Sequence, residues 1–370
     1  MYLYRYNILI NITGYDSMNL IICEIKNDEF SPLKIIDNAI SIIWVQRYNE
    51  AGEFELYLRA DQELLELFSV ERYILRNDSY TVMITENVKL VTDEENGNYL
   101  TITGRSAESL LGRRVTERLF NYSDINAETV LRGLVSYNVG ANTSSDRQIG
   151  IITMGAAAGL TDTIDNIQIF GANILEQMTA IAKTYNYGFG LRLNSAIEKL
   201  VFAVYTGTDR TFAQDNVPAV VFSPDYDNLC NTEYTNNRQS TCNVAYVAGE
   251  KVNNVQSIVT TGTATGINRR ETFVDASGKT QAGSLSTAAY NKVLTVQGQD
   301  ELSKLQDVTS FSGEILLHSN FKFGVDYFMG DKVQVSNGYG INAAAYVTEI
   351  TEVEDESGYY MYPTLSNWEV

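Results

Sequence analysis

The chain has 370 residues, of which 44% are hydrophobic and 20% charged, a composition that is typical of a globular protein and argues against intrinsic disorder. That length is too great for one ordinary core, so we expect roughly two to four domains. The formal net charge of −19 argues against ordinary nucleic-acid binding and against docking on an anionic membrane, because both need clustered lysine and arginine.

The N-terminal segment predicts neither a signal peptide nor a membrane anchor. It contains one basic residue, Arg5, and no small-residue cleavage site. No apolar run anywhere in the chain reaches about 18 residues, so no transmembrane helix is expected. We expect residues 1–17 to be an extension outside the fold, with Met18 as an alternative start.

The three cysteines, Cys23, Cys230 and Cys242, show no CxxC spacing. Such a sparse, odd set is typical of a reducing compartment rather than of a secreted disulfide scaffold. Cys230 and Cys242 are spaced so that they would face each other across a hairpin, but we predict two free thiols.

The clearest local pattern is a hairpin over residues 39–58. Apolar residues alternate with the period of a half-buried strand on both sides of a turn: Ile40, Ile42 and Trp44 before it, and Phe54, Leu56 and Leu58 after it. Residues 49–52 supply the turn chemistry, with Gly52 free to take a positive φ. This stretch predicts two strands of an antiparallel sheet.

Residues 18–118 predict a small antiparallel β-barrel around this hairpin. Further strands are expected at 20–25, 73–75, 81–90 and 99–103, and an acidic turn at 93–98 joins the last two. Residues 61–68 place Leu64, Leu65 and Phe68 on one face, which predicts a short helix. A second short helix, 106–111, ends this unit.

Residues 119–215 predict an α+β domain, because the apolar period changes to that of helices. Asn126 is placed to cap one helix, and a second carries an apolar stripe at Ile174, Met178, Ile181, Ala182 and Tyr185. We expect Gly188 and Gly190 to stop the second helix and a hairpin at 189–193 and 199–205 to follow. The polar, glycine-rich residues 140–159 predict a surface loop.

A second β-barrel is predicted in two pieces, residues 216–262 and 308–370. Strands are expected at 220–222, 243–247, 255–260, 313–317, 332–335, 344–352 and 359–363. The segment between the two pieces, 263–307, predicts a helical insertion, because 284–305 is interrupted only by Gly298. The predicted class is mainly β with α+β insertions: two antiparallel β-barrels and two smaller inserted domains.

Several motifs, in order and spacing, resemble the tail hub proteins of long-tailed bacteriophages over residues 36–364. They are Trp44, Arg47-Tyr48 and Gly52-Glu53-Phe54-Glu55-Leu56, then Ile102–Ser106, Leu110–Arg114 and Gly324–Val333. The resemblance implies a structural protein of the virion tail tip or baseplate, assembled in the host cytoplasm. It also implies a distal tail ring protein, a tape-measure protein and receptor-binding or fibre proteins as partners.

An internal echo links the two predicted barrels. Ile84-Thr85-Glu86 precedes an acidic turn and Tyr99–Ile102, and Val347-Thr348-Glu349 precedes an acidic turn and Tyr359–Tyr362. The residues alone favour two unrelated hairpins of similar composition. The resemblance reverses that preference, because such hubs hold two tail-tube-like barrels per chain, so that a homotrimer presents six barrels to a sixfold tube.

The residue types offer little for catalysis. The only histidine, His318, lies in a predicted strand without a motif, which leaves no triad and no zinc site built from histidine and cysteine. Acids cluster at 93–95 and 352–356, on apparent turns where water keeps pKa values ordinary, which is unlike a glycosidase pair. We predict no catalytic, cofactor-binding or metal-binding residue: 93–98 lacks EF-hand spacing, and the glycines of 324–330 lack a following Lys-Ser/Thr.

The C-terminal segment is strongly acidic. Residues 331–370 hold seven acids and one base, Lys332. We expect some of these carboxylates to line a central channel that DNA passes without sequence-specific binding. Because Val370 follows the last predicted strand closely, no fused lysin is expected.

Three functions are compatible with the sequence. The first is the structural hub. The second is a peptidoglycan-degrading tail enzyme, which zymography on purified cell wall would reveal. The third is a carbohydrate-binding host adhesin, for which 24 tyrosines and two tryptophans suit sugar stacking and which a glycan array would reveal.

Overall fold

The computed structural model describes residues 18–69, 71–94, 97–196, 198–252, 255–280, 286–316, 320–340 and 342–369. Strands dominate and helices are few, so the predicted class, mainly β with α+β insertions, is confirmed. The predicted extension at 1–17 and His318 lie outside the described residues. Within the described part, no helix has both the length and the apolar character to cross a membrane.

The first module, residues 18–106, contains seven strands and one short helix. They are β1 (Leu20–Lys26), β2 (Glu29–Ile36), β3 (Ser41–Arg47), β4 (Glu53–Arg59), α1 (Gln62–Leu67), β5 (Tyr73–Arg76), β6 (Met83–Asp93) and β7 (Gly97–Ser106).

Local chemistry accounts for these elements. Along β4, Phe54, Leu56 and Leu58 are buried and the residues between them are not, as a strand with one core face requires. Asp61 caps α1 by accepting a 2.7 Å hydrogen bond from the backbone N–H of Leu64. The β3–β4 turn uses Gly52 for space rather than for a positive φ, because a Cβ there would lie 2.1 Å from the carbonyl oxygen of Val45.

The α+β domain follows, residues 107–205. It contains a 3₁₀ helix (Ala107–Arg113), β8 (Phe120–Asn126), α2 (Ala127–Asn138), β9 (Ile152–Met154), β10 (Thr163–Ile169), α3 (Ile174–Tyr185), β11 (Gly188–Asn194) and β12 (Lys199–Tyr205). Strands β8 and β10 form one small sheet, and β9, β12 and β11 form another.

The predicted α2 cap is confirmed, since Asn126 accepts from the backbone N–H of Thr129 at 2.9 Å. Two details of this domain differ from expectation. Helix α3 ends at Asn186, whose φ of 52° is left-handed, whereas Gly188 and Gly190 belong to β11. The expected loop at 140–159 contains β9, which pairs in parallel with β12.

The second module consists of two pieces, residues 209–237 and 308–369. Its strands are β13 (Asp209–Arg210), β14 (Val221–Phe222), β15 (Leu229–Asn237), β19 (Val308–Ile315), β20 (Lys332–Ser336), β21 (Asn342–Asp355) and β22 (Gly358–Glu369). A 3₁₀ turn, Pro224–Tyr226, precedes β15.

Between β15 and β19 lies the insertion, residues 238–307. It contains β16 (Val244–Val252), β17 (Val255–Thr261), a 3₁₀ turn (Gly266–Asn268), β18 (Glu271–Asp275) and α4 (Thr287–Lys304). The predicted long helix is therefore present and unbroken at Gly298. Gly298 is needed there because a Cβ would lie 2.8 Å from the side chains of Thr261 and Val247.

The sequence places the segments of β16 and β17 in the second barrel, but the structure pairs them elsewhere. Both form a separate sheet with β18, and that sheet packs on α4 around Tyr290 and Leu294. We therefore propose that the inserted unit covers 238–307 rather than 263–307. The predicted limits 18–118 and 119–215 stay proposals; by strand and helix packing we describe the first two units as 18–106 and 107–205.

The two modules belong to one continuous sheet. Its strand order is β15-β19-β22-β21-β3-β4-β7-β6-β5-β1-β2, and β20 pairs with the first half of β21 while β13 and β14 pair with β20. Among the described residues these ladders do not close into a barrel. The modules are therefore halves of a shared sheet rather than two separately closed units.

The order of strands repeats in the two modules. In the first module the neighbours run β3-β4-β7-β6-β5, and in the second they run β15-β19-β22-β21-β20. Each central hairpin, β6–β7 or β21–β22, also carries a bulge near the base of its first strand. The structural repeat thus covers five strands per module, beyond the two-strand hairpins whose sequences are similar.

Candidate functional site

The two modules meet at a single antiparallel strand pair, β3 with β21. Arg47 lies opposite Glu349, Trp44 opposite Glu352, and Ser41 opposite Asp355. On one face, the Arg47 guanidinium donates to Glu349 at 2.6 Å and to Glu53 at 2.7 Å. We call this strand pair and the side chains packed on it the joint.

A buried ion pair crosses the other face of the joint. Arg76, the last residue of β5, donates to Glu352 of β21 and to Asp78 at 2.7 and 2.8 Å. Its guanidinium also lies 5.2 Å from the centre of the Trp44 ring, and Gln46 donates to Glu352 at 3.2 Å. Burial alone would lower the pKa of Arg76, but the Glu352 and Asp78 carboxylates outweigh it and raise that pKa.

Tyr48 connects three units at one end of the joint. Its hydroxyl donates to the carbonyl of Asn186 at 2.9 Å, and its backbone N–H donates to the carbonyl of Thr348 at 2.9 Å. The ring has no solvent exposure and lies so close to Gly188 and Gly330 that a Cβ on either would come within 2.3 Å of it. Burial raises the pKa of Tyr48.

A cleft of about 1210 Å³ opens beside the joint, between both modules and the α+β domain. Three of the acids that line it, Glu108, Asp331 and Glu352, are buried. Burial raises the pKa of Glu108, which accepts from the backbone N–H of Leu191 at 2.8 Å. Because protein donors hold all three carboxylates, these acids tie elements of the fold together.

One acidic segment lies only partly on the turn that the sequence predicts. Of the cluster 352–356, residues Glu352 to Asp355 belong to β21, and Glu356 begins the hairpin turn. Glu349 and Glu352 are ion-paired in the joint, and Asp331, with 2% exposure, accepts from Arg210 at 2.6 Å. Three of the seven acids of residues 331–370, some of which were expected to face a channel, are therefore ion-paired within the chain.

The cysteines are the remaining residues that the sequence analysis considered for chemistry. Cys23, Cys230 and Cys242 are free thiols, and Cys242 contacts the carbonyl of Glu271 at 3.6 Å. In the described part of the chain, no group of three or more histidine, cysteine or acidic side chains is arranged to hold a metal ion. Sequence reasoning missed Arg76. The signal that could have found it is its place at the end of the apolar strand Tyr73–Arg76, where a buried charge would need an acidic partner.

Asp300, which is half-buried, is the acid with the clearest expected pH effect. It lies on α4 in a groove against β10 and α3, where burial raises its pKa to about 6 against the opposing effect of Lys304 and Lys279. The folded-state pKa exceeds the usual aspartate pKa of 3.8, so the folded chain binds an extra proton between roughly pH 4 and 6 and gains stability as the pH falls.

We expect Asp300→Asn to raise the free energy of unfolding by up to about 3 kcal/mol above pH 7 and to change little near pH 4. Urea denaturation at the two pH values measures this, with the exposed Glu55→Gln as control. An Asp300→Asn effect of equal size at both pH values would contradict the expectation.

Comparisons with known proteins agree with this architecture. A family model described as Siphovirus ReqiPepy6 Gp37-like protein matches residues 22–365. The tail protein from Neisseria meningitidis MC58 is similar in structure, at TM-score 0.57 and 13% identity over 95% of this chain and 97% of that one. No curated protein sequence matches the chain.

Two prophage structures are also similar. The 43 kDa tail protein of prophage MuSo2 from Shewanella oneidensis has a TM-score of 0.54 at 12% identity, over 94% of this chain and 97% of that one. Prophage tail protein gp18 from Listeria monocytogenes EGD-e has a TM-score of 0.50 at 13% identity, over 94% of each chain. At these identities the likeness shows a shared fold.

Proposed function

The chain belongs to the siphovirus ReqiPepy6 Gp37-like family and has the fold of phage tail proteins, and from this premise we propose that it is the structural hub of a tail tip or baseplate. Three copies would form a ring that closes or extends the tail tube. Two strand modules per copy would give six, so the mismatch between a threefold hub and a sixfold tube would be absorbed within each subunit.

The repeated strand order is the observation that carries this proposal. Five strands recur in the same spatial order in the two modules. The joint holds the two modules side by side through seven residue pairs between β3 and β21. A duplicated module fixed in this way is the unit that a pseudo-sixfold ring needs. The buried Arg76–Glu352 pair makes the relative position of the modules specific, because each charge loses a buried partner if they separate.

The proposed ring would have the tail components as its partners. We place a distal tail ring protein and the tape-measure protein at its two faces and receptor-binding or fibre proteins at its periphery. The net charge of −19 supports an acidic channel, because carboxylates repel the phosphates of passing DNA. The channel would draw on acids outside the joint, since Glu349 and Glu352 are already ion-paired.

We propose no catalytic role. The buried acids of the cleft, Glu108, Asp331 and Glu352, each accept hydrogen bonds from protein donors. A hydrolase needs one protonated and one ionised acid that face substrate. The family is one of structural tail proteins, which agrees with a hub and gives the hydrolase and adhesin alternatives no specific support.

Light scattering coupled to size exclusion tests the hub proposal. We expect a mass about three times the 41.3 kDa of one chain at micromolar concentration. The mass should fall toward that of one chain on dilution, because the contacts are noncovalent. A protein that stays monomeric up to about 100 μM would contradict the trimer.

A further inference from the structure

The shared sheet has two strand edges, on β15 and on β6, that another strand could pair with. Strand β15 is the last strand of the sheet on one side. Strand β6 forms a second edge, because β5 pairs with it only at Met83 and Ile84, and residues 87–92 pair with β7 alone among the described strands. Exposed strand edges offer backbone N–H and C=O groups to another strand.

The internal repeat relates these two edges to the joint. In the second module, β20 pairs with the first part of β21, and β3 pairs with the rest. In the first module, β5 pairs with the first part of β6, and the rest faces no strand in the described part. The strand that corresponds to β3 is β15, since each lies outermost in its module's five-strand order. The second module therefore has an unpaired edge equivalent to that of β3, and the first module has one equivalent to that of β21.

We propose that β15 of one copy pairs antiparallel with residues 87–92 of β6 in the next copy, repeating the β3–β21 joint between subunits. This inference rests on the proposed homotrimer and names the contact that closes it. The contact is heterologous, because different edges meet, and such contacts close into a ring when the rotation per step permits. Alternating the internal joint with this contact would place six modules in one circle.

The repeat also fixes the register. The first residue paired after the bulge is Asn87 in β6 and Glu349 in β21, so the two correspond. In the first module, the successive cross-strand partners of Asn87 are Thr103 on β7, Glu55 on β4 and Ile43 on β3. In the second module, the successive partners of Glu349 are Thr364 on β22, Ser312 on β19 and Glu233 on β15. Glu233 therefore corresponds to Ile43. Since Val353 lies opposite Ile43 in the joint, Val91 is expected opposite Glu233.

Side-chain chemistry fits this register. Leu90 and Tyr234, which are 44% and 43% exposed, would face each other where Glu352 faces Trp44 in the joint. On the other face, exposed Lys89 would lie diagonally across from exposed Glu233. Opposite charges and apolar side chains at such cross-strand positions stabilise a strand pair.

Disulfide trapping tests the contact in the full chain. With Cys230 and Cys242 replaced by serine, the Val91→Cys, Glu233→Cys variant should form covalent dimers and trimers on mild oxidation, resolved on a non-reducing gel. The control pair, Val91→Cys with Asn236→Cys, places the second thiol on the opposite face of β15 and should remain mostly monomeric on the gel. Mixing the two single-cysteine variants should yield dimers only.

The outcomes separate this inference from the trimer itself. A protein of trimer mass whose Val91–Glu233 pair crosslinks no more than the control would overturn the strand pairing and leave the hub standing. A monomeric protein would overturn both. As a second measurement, Lys89→Glu and Glu233→Lys should each lower the trimer fraction and together restore it. Additive losses in the double variant would count against the register.

Discussion

Replacing Glu352 by glutamine is expected to lower the free energy of unfolding by about 3 kcal/mol, although the two side chains have the same shape. Removing one member of a buried ion pair costs roughly 3–5 kcal/mol, because the remaining charge stays buried without compensation. Arg76 and Glu352 have side chains only 3% and 5% exposed. Asp78 remains bonded to Arg76, which places the expected loss at the lower end of that range.

Denaturant unfolding followed by circular dichroism measures this loss. The matched control is Glu356→Gln in the exposed turn of the same hairpin, for which we expect a change within about 0.5 kcal/mol. A double variant, Arg76→Met with Glu352→Leu, should recover most of the stability, since apolar pairs often replace buried ion pairs at little cost. If Glu352→Gln behaved like its control, the ion pair would not hold the modules together.

Truncating Tyr48 is expected to have an effect of similar or greater size. A buried aromatic replaced by alanine typically costs about 3–5 kcal/mol, because the cavity relaxes only in part. Tyr48 is enclosed by Gly188 and Gly330, and glycine has no side chain that can move into the space. The backbone contacts of the residue, to Thr348 and from Phe189, limit any collapse of the main chain around it.

The Tyr48→Phe variant separates packing from hydrogen bonding. It keeps the ring and removes only the hydroxyl that donates to Asn186, so a loss of about 1 kcal/mol is expected. Tyr339→Ala is the control, since that ring is 95% exposed. Equal losses for the phenylalanine and alanine variants would show that the hydroxyl, and not the ring, stabilises this meeting point.

Local patterns predicted the elements that depend on neighbours in sequence. The hairpin at 39–58 followed from its period of two, α2 followed from the cap at Asn126, and α3 followed from its apolar stripe. The similarity between the hairpins of β6 and β21 was visible as short matching segments, but the residues alone favoured two unrelated hairpins, and only the family resemblance indicated a repeat. Each of these signals is contained within about 20 residues, where turn chemistry and burial of one face decide the structure.

The joint could not be predicted from such signals. It pairs residues about 300 positions apart, and nothing near Trp44 or Glu352 states which strand lies beside it. The acids at 352–356 were expected on a turn because their composition is polar, yet Glu352 is buried by a tertiary contact with Arg76. Strands β16 and β17 were misplaced for the same reason, since strand propensity does not specify a partner.

The insertion 238–307 leaves the sheet and returns to it at neighbouring positions. Asn237 and Val308 are cross-strand partners at the end of the β15–β19 ladder, so the polypeptide departs and returns at adjacent points. Lengthening an inserted segment whose ends are held next to each other costs little entropy, and the β15–β19 ladder keeps its register. The sheet can therefore carry a longer or shorter accessory domain at this position without a change in its own strands.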